Sequence, residues 1–185
     1  MQIYALCDQS LLDKEHLSIQ MYLNKIAKYN IKILQYRAKN SSKDEIKQQL
    51  TALRNAYNGC LIINDYIDLV YLCDGVHVGQ DDLKSIDRDI TCAAVKLRNM
   101  IGNNKIIGIS THNKDEVMQS NELDIEYIGL GAYRQTSTKS VSSILGQELD
   151  DIASLSTHKV AAIGGVTLDD TFEFVTYNAI GSGLL

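Results

Sequence analysis

The 185-residue chain has no proline. Its turns must therefore be built from Gly, Asn, Asp and Ser. No apolar run approaches the roughly 18 residues that would read as a membrane span. The opening residues, MQIYALCDQS, carry no basic stretch ahead of an apolar one, so no secretory leader is expected. A soluble cytoplasmic protein is the expectation. Cys7, Cys60, Cys73 and Cys92 show no C-x-x-C spacing. Three of them lie in or beside apolar runs, which favours buried free thiols over a metal site or disulfides. Positive charge is not in surplus either, with a net charge of −5 and a pI near 5.3. That removes any general electrostatic case for binding nucleic acid or an anionic membrane. An anionic substrate would have to be held by a few local cations. No Gly/Ser-rich linker, charge block or low-complexity tract divides the chain, so residues 1–185 read as a single domain.

What is present is a series of short β-like runs: IYALC, IKILQY, CLIIN, GVHV, KIIGIS, EYIGLG, KVAAIG and AIGSG. Near-continuous Ile/Val-rich runs are typical of strands buried on both faces in a parallel sheet. Between them lie segments such as KDEIKQQLTALRNAY, apolar at helical spacing with charge on the opposite face. STHNKDEVMQS carries a helix-capping signal. About eight β/α units predict a (β/α)8 TIM barrel, with a doubly wound open sheet as the rival. Two features favour the barrel. No G-x-G-x-x-G follows the first run, and polar residues follow nearly every run rather than one or two. In a barrel those strand ends converge on one face, where active sites are built.

Gln35, Arg37 and Lys39 alternate after the second run, and Asn64-Asp65 closes the third. Gln80, Asp81 and Asp82 follow the fourth, Ser110 and His112 the fifth. Thr136, Thr138 and Lys139 follow the sixth, Gly164-Gly165 the seventh, and Gly181-Ser182-Gly183 the eighth. Two carboxylates with few softer ligands suit Mg²⁺, which takes one or two carboxylates plus waters and substrate phosphates. Arg37, Lys39 and Lys139 complement a polyphosphate, and the terminal Gly-rich turns offer backbone N–H groups to a second phosphate. Taken singly these residues are ordinary. An Asn-Asp pair is more often a turn or helix cap, and Arg37 or Lys39 a solvated charge. His77, alternating with Val76 and Val78, reads as a satisfied barrel histidine, and Asp68 as a helix-surface acid. His112 reads equally as a helix-start residue or a site group. Repetition of the pattern after successive strands is what points to a catalytic mouth.

LQYRAK, IINDYIDL, GVHVGQDD, GISTH, YIGLGAYRQTSTK and IGGV occur in the order found in the thiamine phosphate synthase family, whose relatives include the thiazole tautomerases. The chain resembles that family over almost its whole length, most specifically in the N-D pair and H-x-G-Q-x-D. The resemblance implies a (β/α)8 barrel that joins a pyrimidine pyrophosphate to a thiazole phosphate, giving thiamine phosphate and pyrophosphate. Its mechanism is dissociative: pyrophosphate leaves first, and the thiazole nitrogen captures the resulting pyrimidine methyl cation. Carried over motif by motif, Gln35, Arg37 and Lys39 contact the pyrimidine pyrophosphate, Asn64 the pyrophosphate itself, and Asp65 and Asp82 ligate Mg²⁺. Ser110 and Lys139 steady the departing pyrophosphate as the catalytic pair. Thr136, Thr138 and Gly165 belong to the thiazole-phosphate side, with Ser182 and Gly183 adding backbone donors. A tautomerase would use His112 for proton transfer and have no evident need of Arg37, Lys39, Asn64, Asp65 and Asp82 together. A non-catalytic phosphate-ligand sensor on the same barrel is the reading from a different class.

Two departures from the family pattern carry expectations. The loop AYRQTSTK lacks the usual proline and adds a charge at Arg134. TYNAIGSGLL stops just after the eighth run without supplying the final helix. A bare apolar flank is thus expected, covered by the partner in a two-fold homodimer.

Overall fold

The structure, a computed structural model, describes residues 2–135 and 144–185. Eight parallel strands close into a barrel in sequence order, β1 pairing with β8. They are β1 (Gln2–Asp8), β2 (Ile31–Arg37), β3 (Cys60–Asn64), β4 (Gly75–Val78), β5 (Ile106–Thr111), β6 (Tyr127–Leu130), β7 (Lys159–Ala162) and β8 (Tyr177–Ile180). The closed circuit rules out the doubly wound alternative. The first seven strands fall where the apolar runs place them. The eighth begins at Tyr177, two residues before AIGSG, because Tyr177 and Asn178 pair with Ala161 and Ala162 of β7.

The surrounding α-helices are α1 (Gln9–Lys14), α2 (Ile19–Ile26), α3 (Lys43–Ala56), α4 (Gln80–Ile86), α5 (Ile90–Ile101), α6 (Lys114–Ser120) and α7 (Glu148–Ala153). Short 3-10 turns occupy Ile67–Leu72 and Ser182–Leu184. α3 shows how sequence makes an element here. Ser42 and Glu45 form a reciprocal capping box, which satisfies two N–H groups that helix geometry leaves open. Ile46, Leu50 and Leu53, at spacings of four and three, are fully buried on one face. Truncating any of them to Ala would cost about 2–5 kcal/mol.

The strands sort their side chains by alternation. Ala5, Leu34, Leu61, Ile63, Val76, Ile107 and Ile128 belong to the main core with the helices. Tyr4, Ile33, Ile62, Tyr127, Ala161, Tyr177 and Ala179 form a second cluster inside the barrel. Gly108 is what lets Tyr127 lie there, since a Cβ at that position would stand 2.1 Å from the Tyr127 ring.

At the amino-terminal end of the barrel one device occurs twice. Arg54 of α3 donates to the carbonyls of Tyr57 and Gly59 (2.6 Å each) and to Asp74 (2.9 Å). Asp74, immediately before β4, accepts from Leu61 N (2.7 Å) and donates its own N–H to Leu61 O (2.8 Å). Arg98 of α5 likewise donates to Lys105 O, Asp124 and Glu126. Glu126, immediately before β6, accepts from Ile107 N (2.6 Å) and donates to Ile107 O (3.0 Å). In each case an arginine and an acid lock the start of one strand to the start of the next. Nothing in the spacing of the two pairs, 20 and 28 residues apart, announces this.

The expected bare flank is filled from within the chain. Among the described residues no helix lies between β7 and β8. The outward side chains of β8, Asn178 and Ile180, are nevertheless 2% and 1% exposed. Asn178 Nδ2 donates to Thr167 O (3.1 Å) and Asp170 O (2.9 Å), pulling that connection over the strand. Asp150 of α7 accepts from Glu173 N and Phe174 N and holds the lead-in to β8. The homodimer expected on the ground of a bare flank loses that structural reason. No helix among the described residues is long and apolar enough to cross a membrane. Cys7 and Cys73 are buried, Cys60 is partly so, Cys92 is exposed, and all four are free thiols.

Candidate active site

The carboxyl-terminal ends of the strands surround a cavity of about 400 Å³. Gln35, Arg37, Lys39, Asn64, Asp65, Asp82, Ser110, Gly165, Ser182 and Gly183 all line it. Every site residue expected from the sequence that lies among the described residues is therefore brought to one place. Thr136, Thr138 and Lys139 lie outside the described residues.

Asp65 is set by strained backbone. It follows the last residue of β3 at φ 66°, a conformation few non-glycine residues adopt and one that recurs at functional sites. Its N–H donates to His77 O (2.9 Å) and its carbonyl accepts from Ile67 N (2.9 Å), closing a tight turn. Asp82 reaches the same spot from the first turn of α4, where it also accepts from Gly79 N (2.9 Å). Burial, the Asp82 charge and a hydrogen bond to Asp82 raise the Asp65 carboxyl above its ordinary range, while Lys39 and Arg37 pull it back. Two carboxylates beside two cations, in a mouth that excludes part of the solvent, form a site poised for a further cation on one side and an anion on the other. Among the described residues no group of three or more His, Cys, Asp or Glu forms a ready-made metal cage. A two-carboxylate edge is instead the donor set that Mg²⁺ uses when phosphate oxygens and waters complete its shell.

Arg37 is anchored by Asp8, the last residue of β1, through an ion pair. Asp8 is the first residue in contact with the site that sequence reading passes over. The signal was present, since a polar residue closes the first run as it does the others. His77 is the second. It is satisfied, as its alternation with Val76 and Val78 suggests, but by groups that lead into the site. Its Nε2 lies 3.0 Å from Ser110 Oγ and its Nδ1 3.0 Å from the Tyr127 hydroxyl, which meets the Tyr4 hydroxyl at 2.8 Å. Burial raises both phenols well above their ordinary values, keeping them protonated. Ser110 thus stands at the open end of a buried polar thread. Gln80 adds a bond from Nε2 to Ser110 O (2.7 Å). His112 also lines the cavity, while its Nδ1 sits 3.0 Å from Glu116. It is at once helix-start residue and wall of the site.

On the opposite wall Gly164 and Gly165 sit at φ 83° and 70°, where only glycine is unstrained. Adding a Cβ to Gly165 would also bring it to 2.8 Å from Arg134 Cβ. The extra charge at Arg134 is accounted for: its guanidinium forms two bonds to Asp170 (2.7 and 2.6 Å) and one to Gly165 O (3.1 Å). Arg134 and Thr167 hold the Asp170 carboxyl at about 2, against an ordinary 3.8. Arg134 is a clamp on the glycine turn and not a loose cation in the mouth.

The sequence profile of thiamine monophosphate synthase matches residues 3–182. A thiamine-phosphate synthase from Lawsonia intracellularis is 34% identical, over 96% of this chain and 80% of that protein. One from Persephonella marina is 33% identical, over 90% of this chain and 77% of its own length. In three dimensions the chain superposes on a thiamine phosphate pyrophosphorylase from Pyrococcus furiosus with a TM-score of 0.76. At 22% identity, that likeness covers 98% of this chain and 85% of the other and speaks for the barrel alone.

Proposed function

The chain belongs to the thiamine monophosphate synthase family, and on that premise we propose that its mouth couples a pyrimidine pyrophosphate to a thiazole phosphate, releasing pyrophosphate. The observation that carries this reading is the convergence of Asn64, Asp65, Asp82, Arg37 and Lys39 on one cavity. A thiazole tautomerase has no use for that set.

The chemistry asks for stabilisation of a leaving group whose charge grows as its bond breaks. Arg37 and Lys39 offer fixed positive charge, and Asn64, buried at the end of β3, offers an amide donor. Asp65 and Asp82 would hold Mg²⁺, which when bound supplies charge neutralisation to the pyrophosphate oxygens. Ser110 presents a hydroxyl whose direction is set by His77. Leu6, Ile163, Val166 and Ala179 give the cavity an apolar wall, against which a pyrimidine ring can lie with water kept from the electron-poor carbon. The thiazole phosphate would meet Gly165, Ser182 and Gly183, whose turns offer backbone N–H groups. No nucleophilic side chain is required. The free thiols fit a reducing compartment, and a cytoplasmic location goes with this reading.

The test is incubation of the purified chain with both substrates and Mg²⁺, following thiamine phosphate and pyrophosphate. Stoichiometric appearance of both supports the assignment; a folded protein that forms neither overturns it.

A further inference from the structure

We propose that Asp8 is a positioning residue that holds the Arg37 guanidinium ready for the pyrophosphate, an assignment that rests on the reading of the site given above. Asp8 and Arg37 are direct partners in the β1–β2 register, at the carboxyl-terminal ends of their strands. By alternation with Tyr4 and Leu6, Asp8 points to the inside of the barrel. It is 3% exposed, and one of its carboxylate oxygens pairs with Arg37 Nη1. Arg37 lines the cavity; Asp8 does not. The carboxylate therefore stands behind the cation, away from any ligand.

The other oxygen of Asp8 accepts from Leu11 N (3.3 Å) as the cap of α1. Capping does not account for a buried charge. Ser18, Ser42 and Asn113 cap α2, α3 and α6 with neutral side chains, the acid that caps α5, Asp89, is exposed, and Ser, Asn and Asp are nearly equivalent caps. A buried carboxylate is retained only where a partner compensates its lost hydration, and here the partner is Arg37. Among the described residues Nη1 is the only Arg37 nitrogen with a protein partner. The remaining N–H groups of the fork stay available, in a fixed plane, for bidentate recognition of phosphate oxygens. An arginine ordered before the ligand arrives loses less side-chain freedom on binding.

Simple electrostatics makes the opposite prediction, which gives the test its sign. Removing Asp8 makes the mouth more positive by one charge, so a site governed by net charge binds pyrophosphate more tightly. A site governed by orientation binds it more weakly. The experiment is calorimetric titration of inorganic pyrophosphate in Mg²⁺ buffer into the wild-type chain, Asp8→Ser, Asp8→Asn, Arg37→Gln and the double variant Asp8→Ser/Arg37→Gln. Both Asp8 variants keep a capping side chain but take the compensating charge from Arg37, so Tm should fall by a few degrees, and binding is read at a temperature where each variant remains folded. Each should weaken pyrophosphate binding about tenfold, the size of one well-placed charge-assisted contact. The double variant should bind no more weakly than Arg37→Gln alone, because Asp8 acts only through Arg37. In turnover, KM for the pyrimidine pyrophosphate should rise while KM for the thiazole phosphate stays unchanged. Unchanged or tighter pyrophosphate binding in the folded Asp8 variants overturns the proposal, as does additivity of the two substitutions. If the wild-type chain makes no thiamine phosphate but binds pyrophosphate in an Asp8-dependent way, the synthase reading fails and the role of Asp8 stands. If it turns over normally and Asp8→Ser binds pyrophosphate like wild type, only the role of Asp8 fails.

Discussion

The two ends of this barrel use the same residue types in opposite ways. At the amino-terminal end Arg54 and Arg98 meet Asp74, Asp124 and Glu126, and the remaining donors go to backbone carbonyls. Charge there is matched and fixed to the starts of strands. At the carboxyl-terminal end Asp65 and Asp82 crowd one another until burial and repulsion raise the Asp65 carboxyl, while among the described residues only Nη1 of the Arg37 guanidinium is taken. Ion pairs that complete one another stabilise a fold. Like charges held together destabilise it and await something that relieves them. The mouth also carries backbone strain, since Asp65, a non-glycine residue at positive φ, lines it. The difference separates the end of the barrel that holds the fold from the end that does chemistry.

The sharpest way to break that contrast is Asp65→Asn. Activity should fall by about a hundredfold or more, as for loss of a group that stabilises transition-state charge, while stability at neutral pH should hold or rise. The sign follows from linkage. The Asp65 carboxyl is raised, so the folded chain binds its proton more tightly than the unfolded chain does. The stability this confers is complete below the unfolded pKa and is lost as pH rises through the folded one. At pH 7 the ionised group is a cost, and Asn removes it. Parallel steady-state rates and thermal melts check both halves, and a destabilised variant with intact turnover would place Asp65 with the structural end.

Arg98→Met should do the reverse. It takes the donor from the Lys105 carbonyl and the cation from Asp124 and Glu126, and costs about 2–4 kcal/mol, reduced from the buried-pair range because Asp124 and Glu126 are partly exposed. For a chain of this length that is roughly 5–15 °C in Tm. The rate per folded molecule, read at a temperature where the variant remains native, should match wild type.

Tyr127→Phe probes the thread joining the two ends. Removing one hydroxyl takes a partner from both Tyr4 and His77 and should cost about 1–2 kcal/mol. A smaller fall in kcat should accompany it, as His77 loses the bond that orients it toward Ser110. An unchanged kcat would mean that Ser110 does not depend on the thread.

The smallest effect is expected at Asp170→Asn. Arg134 is half exposed, which screens its pair with Asp170, and Asn keeps an acceptor for Thr167, so the fall in Tm should be smaller than for Arg98→Met. KM for the thiazole phosphate should rise, because the clamp on Gly165 O loosens. The Asp170 carboxyl is held low. Its stabilisation is therefore complete above the ordinary 3.8 and lost as pH falls toward about 2. Wild type and Asp170→Asn should converge in acid melts over that window and differ above it.

Much of this arrangement is legible in the chain itself. Apolar runs of four to seven residues, each closed by polar ones, are a local pattern, and local patterns survive translation into strands because each strand buries both faces. The positions of Gln35, Arg37, Asn64, Asp82 and Ser110 at strand ends follow from that pattern together with barrel closure. Residues whose meaning depends on a partner far along the chain were not legible. Asp8 is an unremarked acid until the β1–β2 register sets it beside Arg37, 29 positions away. Arg134 reads as a surplus charge until Asp170, 36 positions on, receives it. His77 reads as an interior histidine until Tyr127 and Ser110 show which way it faces.

The sequence by itself determined the alternation of strands and helices, the list of polar strand ends and the family, because each depends on side-chain type and spacing over short stretches. Only the tertiary structure decided which charges are matched and which are left open, and that β8 is covered by its own preceding loop through Asn178. The physical reason is the same in both cases. Hydration lost on burial is compensated, or not, by whatever group the fold brings within hydrogen-bond distance. Spacing along the chain carries no record of that distance.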